Sequence, residues 1–284
     1  MRVLFLGTAA GGGLPQWNCG CPSCVRARHE DHTRTQDGLA VTGDGSAWWL
    51  LNTSPDIRTQ LLRTPALTPP PGTRRTPVRG VLFTSAELDH TLGFAALREA
   101  ESLTVHATAP VLDVTPSIAL AGAYTTVSTQ VVVPGKPFDL DGGLTVTAVS
   151  LGTKKPRYAA TAPDSTDWVV GYRITGPGGT LLYAPCLPSW SEAFTEAGLG
   201  ADVVILDGTF YREDEMVGRS ARAMGHLPMV DSLPLLDGGA TYIYTHLNNT
   251  NPAAWEGTPE HTTVTAAGAL IAPEAGELSA RLLG

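Results

Sequence analysis

Three of the four cysteines in this chain lie within six residues of one another, at a spacing that suits metal binding. Cys19, Cys21 and Cys24 form the pattern C-x-C-x-x-C, and Cys186 lies far away. Thiols this close along the chain pair poorly with one another, whereas three thiolates from one segment supply most of a tetrahedral zinc site. We therefore predict a structural zinc-binding Cys loop at about residues 18–32.

Side chains that commonly ligate metals also follow several apolar stretches of the sequence. Asp89 and His90 come after one such stretch and directly before a helical pattern. Open α/β sheets place their sites at the carboxyl ends of strands, so polar residues at several such ends are expected to meet. The other members of this group are Asp207, His226 and His246.

The elements that must position these residues are mostly strands, with fewer helices between them, which predicts a mixed α/β fold. Residues 65–77 have no periodicity and are predicted to form a surface loop. Strands are predicted near Val3–Leu6, Leu39–Thr42, Ala47–Leu51, Val78–Thr84, Leu103–His106, Gln130–Val133, Leu144–Leu151, Trp168–Ile174, Thr180–Tyr183, Val203–Leu206 and Tyr242–Tyr244. Helices are predicted over Thr91–Ala100, Val111–Ala121, Ser189–Ala197, Pro228–Leu236 and Thr263–Leu270.

Composition excludes several classes of protein. The 284 residues are 43% hydrophobic and include 31 glycines, which is too apolar for a disordered chain and too glycine-rich for a helical bundle. The net charge of −8 argues against a nucleic-acid surface. No apolar run approaches the ~20 residues of a membrane span, and the first residues do not form a signal peptide. We therefore expect a cytoplasmic protein that binds neither nucleic acid nor membrane.

An ordered set of short motifs resembles the PQQ (pyrroloquinoline quinone) synthesis protein B family of the metallo-β-lactamase superfamily. The set spans nearly the whole chain, and its most specific segments are 11–24 and 246–252. The resemblance implies a metallo-β-lactamase-like four-layer αββα sandwich, with residues 1–284 forming one domain. The matching segments are VLFLGTAAGGG at 3–13, PQWNCGCPSC at 15–24, NTSPDI at 52–57, DHTLG at 89–93, LRE at 97–99, LDGT at 206–209, MGHL at 224–227 and THLNNTNP at 245–252.

The chain departs from the wider superfamily at the metal motif. The usual H-x-H-x-D-H supplies two metal sites, but Ser85 and Glu87 replace its first two histidines. The motifs that remain carry Asp89, His90 and His246, which the resemblance implies are the ligands of one active-site iron. Two imidazoles and one carboxylate with open positions are typical of non-haem Fe(II) oxygenases, whereas a binuclear zinc hydrolase needs both ligand sets.

The resemblance implies an Fe(II)- and O₂-dependent hydroxylase that acts on a tyrosine-like or other amino-acid-derived aromatic intermediate. The substrate is either a free small molecule or peptide-bound, and the pathway makes PQQ or a related quinone-type natural product. The expected cofactors are Fe(II) at the active site and Zn(II) at the cysteines. A zinc-dependent, phosphodiesterase-like hydrolase and a non-catalytic carrier of the quinone product are the alternatives, and a homodimer stays open.

Four further residues have weaker assignments. His226 is a candidate proton shuttle because the pKa of histidine lies near neutrality, and Asp207 is a candidate for orienting it or a ligand histidine. Related superfamily members use a histidine where this chain has Asn249, so Asn249, Asp31 or His32, or water stays open as the fourth zinc ligand. Cys186 falls where the superfamily's bridging Asp is expected, and is either a metal ligand or a small buried apolar residue.

Overall fold

The computed structural model describes residues 1–279 and arranges thirteen strands of that range in two mixed sheets. In the first sheet the strand order follows the chain, with antiparallel pairing among the first three strands and parallel pairing from the third to the sixth. Its strands are β1 (Arg2–Gly7), β2 (Gly38–Thr42), β3 (Trp48–Leu51), β4 (Val78–Leu82), β5 (Ser102–Ala107) and β6 (Thr126–Val131).

The second sheet has the same division into antiparallel and parallel halves. Its first four strands pair antiparallel in sequence order, and the fourth to the seventh pair parallel. Apart from the short last strand, the parallel half is buried on both faces, which explains the continuous apolar runs there. The strands are β7 (Pro137–Leu140), β8 (Leu144–Gly152), β9 (Val169–Gly176), β10 (Gly179–Ala184), β11 (Val203–Asp207), β12 (Thr241–Thr245) and β13 (Leu270–Ile271).

Short helices occupy the connections between strands. Several have proline at the first or second position, where its fixed φ suits a helix start and its missing N–H has no intrahelical role. The α-helices are α1 (Pro22–His29), α2 (Ile57–Leu62), α3 (Leu88–Thr91), α4 (Ala109–Val114), α5 (Pro116–Gly122), α6 (Glu192–Gly198), α7 (Met229–Ser232) and α8 (Pro259–Ala266).

Three apolar clusters correspond to the interfaces of a four-layer sandwich. The first lies between the two sheets and combines residues such as Phe5 and Leu51 with Tyr172 and Ile205. The other two cover the outer faces, where helices α2, α4 and α5 pack on the first sheet and α6, α7 and α8 on the second. The layers are therefore helix, sheet, sheet and helix, as the sequence resemblance implies.

The helices differ more from the sequence prediction than the strands do. Pro116 divides the helix predicted over Val111–Ala121 into α4 and α5, because proline cannot donate the backbone hydrogen bond that would continue it. The helix predicted over Thr263–Leu270 is α8, which ends before strand β13 begins. Helices α1 and α2 and strands β7 and β13 were not predicted. The strand predicted near Gln130–Val133 is β6, which begins four residues earlier. Among residues 1–279, no helix has both the length and the apolar character to cross a bilayer.

Gly93 packs where a side chain would collide with the backbone after β3. A Cβ at this position would lie 1.8 Å from the carbonyl oxygen of Ser54. Overpacking of this kind costs about 1–3 kcal/mol or more. We predict that Gly93→Ala lowers the free energy of unfolding by at least that amount, measured by chemical denaturation.

Gly122 provides the matched control, because a Cβ there meets no atom within 4 Å. Gly122→Ala is expected to leave stability unchanged or to raise it slightly through helix propensity. An equal loss of stability in both variants would contradict the steric explanation.

Candidate metal centre

Asp89 and His90 lie in the first turn of α3, directly after the turn that follows β4. The predicted helix began at Thr91, but the structure starts it at Leu88, after an extended Glu87. A carboxylate in the first turn interacts favourably with the helix N-terminus, which contributes to this earlier start. Asp89 and His90 are therefore held together on one helical turn.

Three parallel strands of the second sheet bring further polar residues to the same place. β10, β11 and β12 run side by side, so their carboxyl ends meet at one edge and deliver Cys186, Asp207 and His246 there. His246 has a φ of 56°, a left-handed conformation that is uncommon for residues other than glycine. Such conformations cluster at functional sites.

The nitrogen and oxygen atoms of three predicted ligands converge. His90 Nε2 lies 3.3 Å from His246 Nε2, and Asp89 Oδ2 lies 3.3 Å from His246 Nε2 and 4.0 Å from His90 Nε2. When several donor atoms bind one ion at about 2.0–2.2 Å, the distances between the donor atoms are similar to the three distances given above. The donor set therefore fits a single divalent transition metal ion.

Neighbouring hydroxyl groups orient both ligand histidines. Thr84 Oγ1 and Ser85 Oγ lie 3.1 Å and 2.9 Å from His90 Nδ1, and Thr209 Oγ1 lies 2.8 Å from His246 Nδ1. Hydrogen bonds at Nδ1 fix the ring orientation and leave Nε2 for a metal. Sequence reasoning missed all three roles. The only available signal was that Thr84 and Ser85 shortly precede Asp89 and that Thr209 shortly follows Asp207.

Asp207 and His226 form a buried hydrogen-bonded pair beside these ligands. Asp207 Oδ2 lies 2.8 Å from His226 Nδ1 and also accepts the backbone N–H of Leu187 at 2.8 Å. Asp207 Oδ1 accepts the hydroxyl of Thr209 at 2.6 Å, and Thr209 in turn contacts His246. Asp207 thus contacts His226 directly and His246 through one hydroxyl, which is the arrangement expected of a positioning residue.

The site carries strong local electrostatics. Burial opposes ionisation of Asp89, but His90 and the hydrogen bond with His246 outweigh it and lower the pKa of Asp89 below its usual range. Burial lowers the pKa of His90 to about 4, so its imidazole is neutral near pH 7. Burial by itself lowers the pKa of His246, but the hydrogen bond and the charge of Asp89 outweigh burial. The pKa of His246 is therefore raised, which favours a proton there. A bound cation would replace that proton, because metal ligation requires neutral imidazole.

These residues line a cavity of about 200 Å³ that opens to solvent. Its walls include the apolar side chains of Val169 and Phe210 together with His226. Glu87 and Lys154 also line it, and Lys154 Nζ lies 3.8 Å from Glu87 Oε1. The Lys154 ammonium additionally donates to the carbonyl of Met224. No sequence pattern predicted that Lys154 would lie here.

The cysteine segment is more helical than the predicted loop. Cys21 is the N-cap of helix α1, and its sulfur accepts the N–H of Cys24 at 3.4 Å. Because the helix begins at Pro22, Cys24 lies within its first turn. Burial raises the pKa of Cys24 to about 11, so ionisation of this thiol needs a cation beside it. The sulfurs of Cys19, Cys21 and Cys24 lie within 4.8 Å of one another.

Asn249 is the candidate fourth ligand that the structure brings to the cysteines. Its Nδ2 lies 3.4 Å, 3.5 Å and 3.4 Å from the sulfurs of Cys19, Cys21 and Cys24. Rotation of the carboxamide by half a turn would point its oxygen at the same place. His32 instead packs on the ring of Trp255, with 4.8 Å between ring centroids.

Comparison with known proteins identifies the family. The Beta-lactamase superfamily domain matches residues 47–247. The coenzyme PQQ synthesis protein B of Methylobacterium radiotolerans is 37% identical, and the alignment covers 98% of this chain and all of that protein. That of Gluconobacter oxydans is 35% identical over 96% of both chains. This chain belongs to the coenzyme PQQ synthesis protein B family.

Solved structures agree with this assignment and with the predicted fold. The Zn(2+)-bound PqqB of Methylobacterium extorquens superimposes with a TM-score of 0.92 at 33% identity and covers 98% of this chain and 100% of that chain. A diphosphatase of the PhnP family, with a TM-score of 0.71 at 20% identity, shares the fold. The family and the metallo-β-lactamase fold expected from the sequence are thus confirmed.

The cysteine cluster of this family member yields a test of metal binding. Free zinc at 100 times its dissociation constant stabilises a folded protein by about 2.7 kcal/mol. We predict that a zinc chelator lowers the unfolding free energy of the wild type by an amount of this order. Cys24→Ser removes one sulfur, so it should respond less to the chelator and contain one zinc per chain fewer.

Val25→Ala is the control, because Val25 is an exposed neighbour of Cys24 on the same helix. It should retain the zinc content and chelator response of the wild type. Unchanged zinc in Cys24→Ser, measured by elemental analysis, would contradict a metal site at these cysteines.

Proposed function

We propose that this protein is an Fe(II)- and O₂-dependent hydroxylase of a tyrosine-like or other amino-acid-derived aromatic compound. The reaction would belong to the synthesis of PQQ or a related quinone-type metabolite. The observation that carries the proposal is the convergence of Asp89, His90 and His246 at the wall of an open cavity. Two imidazoles and one carboxylate that leave open positions are typical of non-haem iron oxygenases.

A binuclear hydrolase fits these residues less well. A second ion would need ligands at Ser85 and Glu87, but the Ser85 hydroxyl is hydrogen-bonded to His90 Nδ1, and Glu87 lies beside Lys154. Asp207 is hydrogen-bonded to His226, so its carboxylate positions the imidazole and does not serve as a metal ligand in this proposal. Although the ligand atoms of Asp207, His226 and His246 lie within 4.8 Å of one another, these hydrogen bonds support our proposal of one catalytic ion. We propose a separate zinc ion at Cys19, Cys21 and Cys24.

The chain's own residues would divide the work as follows. A bound Fe(II) supplies the activation of O₂. Thr84, Ser85 and Thr209 hold the ligand imidazoles in the required orientation. His226 Nδ1 is bonded to Asp207, so its Nε2 is the nitrogen that can exchange a proton with a molecule in the cavity.

The cavity suits an aromatic amino acid or its derivative. Val169 and Phe210 offer apolar contact for a ring, and Lys154 offers an ammonium group for a carboxylate. Glu87 lies close enough to Lys154 to contact an ammonium group on the same small molecule.

Three thiols in one cluster need reducing conditions to remain metal ligands, which supports a cytoplasmic location.

The experiment that tests the proposal measures metal content and O₂ chemistry together. Protein purified without O₂ and supplied with Fe(II) should bind one iron at this site. When O₂ and ascorbate as a two-electron reductant are then added, it should insert one oxygen atom of ¹⁸O₂ into tyrosine or 3,4-dihydroxyphenylalanine and release the other as water. Asp89→Ala removes one of three ligands, so we predict loss of the iron and of the ¹⁸O incorporation, with the zinc at the cysteines retained.

Asp113→Ala is the matched control, because Asp113 is an exposed carboxylate on α4. It should keep both metals and full turnover. Cleavage of a phosphodiester by the zinc-loaded protein without O₂ consumption would replace the hydroxylase with a hydrolase. Tight binding of PQQ with neither activity would indicate a carrier.

A second prediction concerns Lys154. Hydrogen bonds to charged groups contribute about 1.5–3 kcal/mol, so Lys154→Met should weaken tyrosine binding about tenfold or more. Tyramine has the same ring and amine but no carboxylate, and its affinity should change little. Lys136→Met, which removes an exposed charge elsewhere, is the control. Equal weakening for tyrosine and tyramine, measured by calorimetry, would show that Lys154 does not recognise the carboxylate.

A further inference from the structure

Cys186 lies in the metal centre although the proposed ligand set does not include it. It follows β10 by two residues, and its side chain lines the same cavity as Asp89, His90 and His246. Its Sγ is 4.0 Å from His90 Nε2, and the ligand atoms of Cys186, His90 and His246 all lie within 4.8 Å of one another. The thiol is therefore close to the two nitrogen atoms that would hold the ion.

The packing around Cys186 differs from that of a small apolar residue. Ala184 and Leu187, on either side of it, belong to the apolar cluster on the outer face of the second sheet, but Cys186 belongs to none of the apolar clusters found among residues 1–279. The next residue, Leu187, is held by hydrogen bonds at both its N–H and its carbonyl. The Leu187 N–H donates to Asp207 at 2.8 Å, and the Leu187 carbonyl accepts the N–H of Leu227 at 2.7 Å.

We propose that Cys186 Sγ is a further ligand of the metal ion held by Asp89, His90 and His246. The proposal rests on the metal site of the proposed function, but it does not depend on hydroxylase activity. On binding, the thiol loses its proton to solvent and forms a sulfur–metal bond, with no change of oxidation state. The donor set becomes one oxygen, two nitrogens and one sulfur.

This donor set has different consequences for different metals. Zinc bound to protein is usually four-coordinate, so four protein donors would close a zinc-loaded site to other molecules. A six-coordinate ion would keep two positions for O₂ and substrate. Thiolate also strengthens binding of softer metals such as zinc. Cys186 would therefore make zinc a tightly held occupant that blocks the centre, while iron leaves it open.

The test uses Co(II), because a cobalt–thiolate bond produces an intense charge-transfer absorbance in the near ultraviolet. Wild type, Cys186→Ser, Asp89→Ala and the double variant are stripped of metal and given two equivalents of Co(II) without O₂. If all four cysteines are ligands, each accounts for about a quarter of the charge-transfer absorbance, and Cys186→Ser should lose that share. The affinity of its active-site centre for Co(II) should also fall by about tenfold or more.

The other variants locate the lost absorbance. Asp89→Ala should lose the same share, because the ion leaves this centre while the cysteine cluster keeps its own. The double variant should lose no more than Asp89→Ala alone. Cobalt absorbance in Cys186→Ser equal to that of the wild type, at equal cobalt content, would overturn the proposal.

A measurement on the wild type guards against misfolding of the Cys186 variants. Alkylation of Cys186 by iodoacetamide, mapped by mass spectrometry, should be slowed when metal is added to the stripped protein, and Asp89→Ala should show no such protection. Equal labelling of Cys186 with and without metal would reject ligation. Neither measurement requires turnover, so a protein that ligates cobalt through Cys186 but does not hydroxylate would overturn only the proposed function.

Discussion

The parallel pairing of β10, β11 and β12 is the constraint on which the rest of this site depends. Because the three strands run in one direction, they bring Cys186, Asp207 and His246 to one edge of the second sheet. The first and last of these residues are 60 positions apart in the chain. The facing sheet supplies Asp89 and His90 after β4. Neither sheet alone holds a complete ligand set, so the metal centre exists only where the sandwich is assembled.

The electrostatics of this edge require a cation or its equivalent. Asp207 is buried and Asp89 is partly buried, and histidines beside each of them lower the pKa of both carboxyl groups despite their removal from solvent. Burial of the carboxylates would otherwise be costly. A proton on His246 partly meets this requirement, and a divalent ion meets it more completely. The hydroxyls of Ser85 and Thr209 add directional contacts that charge alone does not provide.

One short segment connects the two metal-binding groups. His246 faces the cavity that Asp89 and His90 also line, and three residues later the Asn249 side chain contacts the sulfurs of the cysteine cluster. Asn251 donates to the carbonyl of Gly208 at 2.6 Å, which ties the same segment to the end of β11. An ion at the cysteines would therefore restrain the backbone that carries His246. This connection gives the cysteine cluster a role in site geometry as well as in stability.

The sequence by itself determined most of the strands, the candidate metal-binding residues and the family. Strands are predicted well because their apolar runs depend on local pattern, and C-x-C-x-x-C is informative because close spacing forces the thiols together. Short helices such as α1 and α3 were missed or misplaced, because caps and tertiary contacts decide where they start. The tertiary structure alone placed Asn249 on the sulfurs, Lys154 beside Glu87 and Cys186 beside His90, since these pairs are far apart in the chain and meet only when the sheets pack together.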